Sequence, residues 1–289
     1  MQKQYAIETG DNKFSLIVFI GLTYFFVIVI FILPLLLVAQ MAFEKGFQEY
    51  LRNIIENDTL QSIKLTIVTT LIATGLNTVF GIGAAWLITK YSFRGRNILL
   101  TIIDVPFSVS PVVSGMMFVL LFGANGWFGE ILSANNIKII FAVPGIILAT
   151  TFVTLPFVVR ELIPVMETIG KEFEEAAVCL GANGWNLLFK VTLPSIKWGL
   201  LYGVIICSAR SMGEFGAVSV VSGHIRGVTT TVPLQVEMLY NEYRFTAAFS
   251  LASLLMCIAI ITIVIKTVIE DKKVKSNSTN KKGSFNDKN

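Results

Sequence analysis

Histidine is almost missing from this chain: among 289 residues only His224 carries an imidazole. A lone histidine cannot assemble a three- or four-ligand zinc site. No His-Glu-x-x-His run is present to equip an intramembrane protease. His224 reads as a polar residue at a helix end. Cysteine is scarce too. Cys179, Cys207 and Cys257 match no metal spacing and form no disulfide framework, so they read as packing residues. The phosphate loop G-x-x-x-x-G-K-[S/T] is absent, which excludes an ATP site of that type in the chain itself. Charge is the most telling shortage. Charged residues make up 15% of the chain, against about 25% in a soluble domain. The few basic residues are scattered over separate segments, which excludes a nucleic-acid-binding face.

What fills the chain is apolar. Mean hydropathy is +0.71 and 54% of residues are hydrophobic. Apolar runs at 15–43, 65–89, 105–129, 139–159 and 245–265 each reach the ~20 residues needed to cross about 30 Å of hydrocarbon. A sixth run, 198–223, is as apolar but holds Arg210 and Glu214. Strand-length alternation, the mark of a closed barrel, does not dominate. The expected fold is therefore all-α and integral to the membrane, with six transmembrane helices in one domain over residues 14–270. It is flanked by a cytoplasmic segment 1–13 and a polar tail 271–289, rich in Lys, Asn and Ser, that reads as disordered. The first run is too long for a signal-peptide core and reads as a retained helix.

Basic residues concentrate on cytoplasmic loops. With the N-terminus inside, sixteen of the 23 Lys and Arg fall on inner segments, six fall outside, and Arg210 lies in the membrane. Both termini are expected in the cytoplasm, as is the polar segment 160–194. Pro106 and Pro111 lie in the third run, and Pro144 and Pro156 in the fourth. Ser108, Ser110 and Ser114 are placed to satisfy carbonyls that proline frees.

Segment 160–194 carries the functional signal. Glu172, Glu174 and Glu175 open a helical stretch, where acidic residues suit a helix N-terminus. Glu175-Ala176-Ala177 is followed by Gly181, and after nine residues by Val191, Leu193 and Pro194. Gly181 allows a break between two short helices. Pro194 suits the first turn of the fifth membrane helix. Small residues at these offsets on a polar segment point to close docking of another protein. In the fifth run Arg210 and Glu214 are four apart, hence on one helical face near mid-membrane. They read as an ion pair that fixes packing, or as a gate biased toward anions. Asp104 reads as a capping or interhelical hydrogen-bonding residue.

The chain resembles the permease subunits of ATP-binding-cassette (ABC) importers of the molybdate/sulfate, MetI-like type, and among these the CysW-type sulfate/thiosulfate permeases. The resemblance spans about residues 14–270. Besides the Glu175 pattern it rests on the runs 104–113 and 155–164, on 209–218 with its Arg-x-x-Gly-Glu-Phe-Gly, and on 222–227 and 231–234. Val191 departs mildly from the isoleucine often found there. The resemblance implies a coupling loop at Glu175, Ala176, Ala177, Gly181, Leu193 and Pro194 that engages an ATPase. It implies a pathway or gate near Arg210, Glu214, Ser108 and Ser110. It also implies a sister permease in a heterodimer, two ATP-binding subunits that hold ATP and Mg, and an extracytoplasmic sulfate-binding protein. No cofactor is expected in this chain, which would be a non-enzymatic, multi-pass component of a bacterial plasma membrane. Molybdate or tungstate remains an alternative cargo, and an ATP-independent channel or secondary transporter an alternative class.

Overall fold

The protein, as a computed structural model, is described over residues 13–170 and 172–286. The expected inner segment 1–13, apart from Lys13, lies outside these bounds, as do Lys171 and the last three residues. The first apolar run forms α1 (Lys13–Val27) and α2 (Leu33–Ala42), joined through one π turn at Ile28–Ile32. It is apolar on every side, as a lipid-facing helix is. Pro34 falls in the first turn of α2; the wider π turn before it accommodates the missing N–H and the bulky ring. A short amphipathic helix α3 (Phe47–Ile55) leads into α4 (Asn57–Lys90).

Helix α4 is the spine of the bundle. Its buried positions Ser62, Thr66, Thr69, Ala73, Asn77, Gly81 and Ala84 recur every three or four residues and are small or hydroxylated. Such a stripe lets two membrane helices approach closely. The partner is α8 (Val143–Ile169). At the tightest point a Cβ on Gly81 would sit 2.6 Å from Val158 Cγ1. One turn away, Asn77 Nδ2 donates to Thr154 Oγ1 (2.8 Å) and to the Thr151 carbonyl (3.1 Å), and Ser211 Oγ reaches Thr154 at 3.3 Å. This polar knot ties α4 and α8 to α11 (Leu193–Met212). Interhelical hydrogen bonds of this kind act as glue where the surroundings are as apolar as the helices.

The third and fifth runs differ from expectation. The third is a broken span: α5 (Arg96–Ser108) and α6 (Pro111–Phe122) meet at 108°. Pro111 forces the residue before it out of the α region. Ser110 accordingly has ψ 135°, and Val109 ψ 133°. Pro106 lies inside α5, while Pro111 opens α6 instead of kinking a continuous helix. Of the three serines, Ser114 Oγ donates to the Ser110 carbonyl at 3.3 Å. With the bent pair counted as one span, the described residues hold six spans long and apolar enough to cross a membrane. The fifth helix stops at Met212 and is followed, after Gly213–Phe215, by α12 (Gly216–Ser222).

A turn and short α7 (Gly129–Ala134) precede α8, whose first turn holds Pro144. Helix α8 runs past Arg160 to Ile169, so the first ten residues of segment 160–194 are helical continuation. Then follow α9 (Glu172–Cys179), α10 (Gly184–Leu187), a second π turn at Leu188–Thr192 and α11. After α12, α13 (Val232–Asn241) is pinned to α4 by the bond from Val232 N to Thr66 Oγ1 (2.9 Å). Last comes α14 (Phe245–Asn286), whose apolar span ends at Ile265. The segment from Asp271, expected to be disordered, continues as helix to Asn286. Propagation from an existing helix is far easier than nucleation, and the lysines there are good helix formers.

The ends of the helices sort into two sets. Lys90, Arg96, Gly170, Glu174 and Thr192 gather at one end, hereafter the basic end. At the other, Glu56 meets Arg244, and Arg226 pairs with Glu242. Gly81→Ala should lower stability by about 1–3 kcal/mol, the cost of overpacking. It should appear as a fall in Tm of the purified protein, partly recovered by adding Val158→Ala. An unchanged Tm for Gly81→Ala contradicts the close α4–α8 seam.

Candidate coupling elbow and pathway

At the basic end the chain turns through α9 and α10. Gly181 has φ +85° and open space where a side chain would project. Its role is the left-handed turn between the two helices, where other residues are strained. Asn183 then caps α10 by accepting from Asn186 N at 2.9 Å. From Gly184 the helix is unbroken to Met212, 29 residues. Pro194 sits in the first turn of α11 as expected, but α11 does not begin freely there. The π turn before Pro194 carries the helix through, as the one before Pro34 does. Leu193 packs against the core cluster that contains Leu162, Met166 and Ile196.

Glu175 and Ala176 are exposed and Ala177 half-buried. Around them Phe173, Val178, Leu180, Trp185 and Phe189 stand out of the surface, Leu180 to 89%. The Trp185 and Phe189 rings stack at 5.9 Å. Apolar residues exposed in this number suit contact with another protein or with lipid. The small side chains of Ala176 and Ala177 leave the α9 backbone open to close approach.

Sequence reasoning missed the residue beside Glu175. Glu174 turns inward: its carboxylate lies 3.3 Å from Lys90 Nζ and accepts from Thr192 Oγ1 at 2.6 Å. Lys90 also donates to the Gly170 carbonyl. Three glutamates in four residues look alike in sequence; the lysine ending the second apolar run was the one available hint.

The candidate pathway residues are brought to two neighbouring breaks. Ser108 and Ser110 flank the bend between α5 and α6 and are exposed. Helix α6 packs on α12 so closely that a Cβ on Gly115 would lie 2.8 Å from the Ala217 carbonyl, and one on Gly216 2.9 Å from Pro111 Cβ. Two half-helices thus meet across their breaks. Arg210 and Glu214 do pair, with Nη1 2.7 Å from Oε2. They are not mid-helix, however. Arg210 is in the last turn of α11, and Glu214 lies in the break. The helix ends there because Glu214 Oε1 accepts from Ala217 N (3.0 Å), capping α12 in place of extending α11. The Glu214 side chain is 1% exposed and that of Arg210 36%. The carboxylate is thus held behind while the guanidinium reaches the surface.

A second pair lies toward the basic end. Asp104 on α5 accepts from Arg160 Nε on α8 at 2.8 Å, making the expected interhelical bond, and Arg160 stacks 4.7 Å over Phe107. Charges exposed at this depth are costly in lipid. The face bearing Arg160 and Arg210 is therefore suited to protein or to a watery path. His224 sits between α12 and α13 with φ +55°, 3.5 Å from Glu237. Cys207 is buried, while Cys179 and Cys257 are exposed. Among the described residues no cluster of His, Cys, Asp or Glu could hold a metal ion.

The comparisons with known proteins agree with this architecture. The family model for the binding-protein-dependent transport system inner membrane component matches residues 77–275. The chain belongs to that family. It is 50% identical to the sulfate transport system permease protein CysW of Synechococcus elongatus over 269 residues, covering 93% of this chain and 94% of that one. The Escherichia coli permease CysT is 35% identical over 242 residues, covering 84% and 87%. In three dimensions the chain is similar to a subunit of the bacterial alginate ABC transporter crystallised with its periplasmic protein. The TM-score is 0.71 over 88% of this chain and 92% of that one, at 18% identity, a likeness of fold alone. The protein is thus a multi-pass membrane component with the MetI-like permease fold.

Arg210→Ala leaves the buried Glu214 carboxylate without its counter-ion. It should cost about 3–5 kcal/mol, as unpaired buried charges do, read as loss of folded protein or a large fall in Tm. Adding Glu214→Gln should recover most of it. A stable Arg210→Ala single variant contradicts the pairing.

Proposed function

We propose that the chain is a membrane-spanning subunit of an ATP-driven importer of sulfate and thiosulfate. The observation that carries the reading is the CysW likeness along nearly the whole chain, joined to an exposed elbow built for a docking partner. Two distinct sulfate permease relatives, CysW and CysT, support a heterodimer with a sister permease. The remaining partners are two ATP-binding subunits at the elbow and an external sulfate-binding protein at the opposite end. The basic end faces the cytoplasm, in keeping with the bias of Lys and Arg toward it, and both termini lie on that side of a bacterial plasma membrane. ATP and Mg belong to the partner subunits.

The energetics require a motor. Moving a divalent anion inward against an inside-negative potential costs about 4.6 kcal/mol per 100 mV. A passive channel would run outward, and it gives no use for the elbow. In the reading proposed, the ATPases grip α9 around Glu175, Ala176 and Ala177 and displace it as they close. Helix Gly184–Met212 is one rod, about 43 Å long at 1.5 Å per residue. Its far end carries Arg210 beside the α6 and α12 breaks. Displacement at the elbow thereby reaches the pathway and shifts the population between inward- and outward-open packings. Arg210, backed by Glu214, offers guanidinium donors with little net charge, so an anion is guided without being trapped. Ser108 and Ser110 add hydroxyl donors at the neighbouring bend. Selection among anions falls to the binding protein. The molybdate or tungstate alternative finds no support among the relatives described above.

Two experiments test this. Cells with the chain should accumulate labelled sulfate, with thiosulfate competing and molybdate competing weakly; cells without it should not. Equal competition by molybdate would overturn the substrate. A cysteine introduced at Ala177, with Cys179 replaced, should crosslink to the partner ATPase in the purified complex. Absence of that crosslink in an active complex would overturn the coupling role of the elbow.

A further inference from the structure

The clasp beneath the elbow has a role that the exposed docking face does not explain. Lys90 is the last residue of α4, and Glu174 lies on the inner side of α9. Their side chains are only 8% and 13% exposed. Each is satisfied twice. Glu174 meets Lys90 and the Thr192 hydroxyl, and Lys90 meets Glu174 and the Gly170 carbonyl that follows α8. The four groups therefore join the ends of α4 and α8, the coupling helix α9, and the π turn leading into α11. Met166, Ile169, Val191 and Ile196 line the same small pocket as the pair, with space for about one water-sized volume of 10 Å³.

We propose that Lys90 and Glu174 are positioning residues that carry the ATPase stroke into α4 and α8 as well as α11. The inference rests on the importer reading above. A sheltered ion pair in which each partner makes a second hydrogen bond holds one register and resists a half-made state, because separating the partners strands a charge away from water. When α9 is displaced, it draws the end of α4 through Lys90 and the end of α8 through the Gly170 carbonyl. Helices α4, α8 and α11 are already tied near mid-bundle by Asn77, Thr154 and Ser211. They then move as one body. A link through Pro194 alone would tilt α11 against its neighbours and break that polar knot.

The test separates this role from a contribution to stability alone. The whole complex, with ATPases, sister permease and binding protein, is reconstituted in vesicles, and sulfate taken up per ATP hydrolysed is measured beside Tm. Lys90→Met alone strands a carboxylate and should lower both. The double variant Lys90→Met with Glu174→Met strands no charge and leaves only the Thr192 hydroxyl and the Gly170 carbonyl to find new partners. Its Tm should return close to wild type and its ATPases should co-purify, while uptake per ATP stays down by about tenfold, within the usual range of inter-site coupling. If uptake per ATP recovers along with Tm, the pair is structural only and the proposal fails. If the double variant does not assemble, Glu174→Gln decides, and a wild-type ratio there overturns the proposal. A wild-type complex that takes up sulfate without hydrolysing ATP would instead refute the importer reading and leave the clasp with no stroke to carry.

Discussion

The unbroken helix from Gly184 to Met212 is the constraint on which the rest depends. Within a bilayer every backbone group must find its partner inside the protein, so a helix carries its hydrogen-bond ladder until something else satisfies the ends. At one end Asn183 supplies the cap and Gly181 the turn. At the other, Glu214 takes over the N–H of Ala217 and the chain breaks. Between them Pro194 threatens the ladder, and the π turn at Leu188–Thr192 absorbs it. One stiff element thereby joins a solvent-exposed apolar patch to a break deep in the bundle.

Charges follow a consistent arrangement. Each deep arginine is backed by a carboxylate: Arg210 by Glu214 and Arg160 by Asp104. In both pairs the arginine is the more exposed member. The surface at that depth therefore presents donors without a large fixed field, which suits passage of an anion that must leave as readily as it enters. The clasp of Lys90 and Glu174 is different. It is sheltered, and each partner makes a second hydrogen bond, the form a pair takes when it holds register.

Much of this was legible in the sequence. The apolar runs located the candidate spans, and of the two sets of basic residues Lys90 and Arg96 fall at one end of the bundle and Arg226 and Arg244 at the other. The break between two short helices at Gly181 was legible because a glycine on a polar segment permits a left-handed turn. The bend at Ser108–Pro111 was not legible, since residues 105–129 hold no polar gap and hydropathy does not register direction. Pro111 was visible, but a proline that kinks a helix and one that opens a new helix look the same until Ser110 adopts its extended ψ. Glu214 read as mid-helix because a spacing of four suits an intact helix and a capped break alike. Glu174 was indistinguishable from Glu172 and Glu175 until packing turned it inward against Lys90, a contact 84 residues away in the chain.

A rod that moves as a unit must shift its far end against α14. A groove of about 260 Å³ between Ala209, Met212 and Gly213 of the rod's end and Leu255, Met256 and Ala259 of α14 leaves room for that end to shift. Spin-label distances in the reconstituted complex address this directly, with labels at Asn186 and Gly213 along the rod and at Gly213 and Cys257 across the groove, Cys179 and Cys207 being replaced. On binding a non-hydrolysable ATP analogue, the Asn186–Gly213 distance should stay constant while the Gly213–Cys257 distance changes. A changed Asn186–Gly213 distance with Gly213–Cys257 fixed would mean that the helix bends at Pro194 and the stroke never reaches Arg210, contradicting the account.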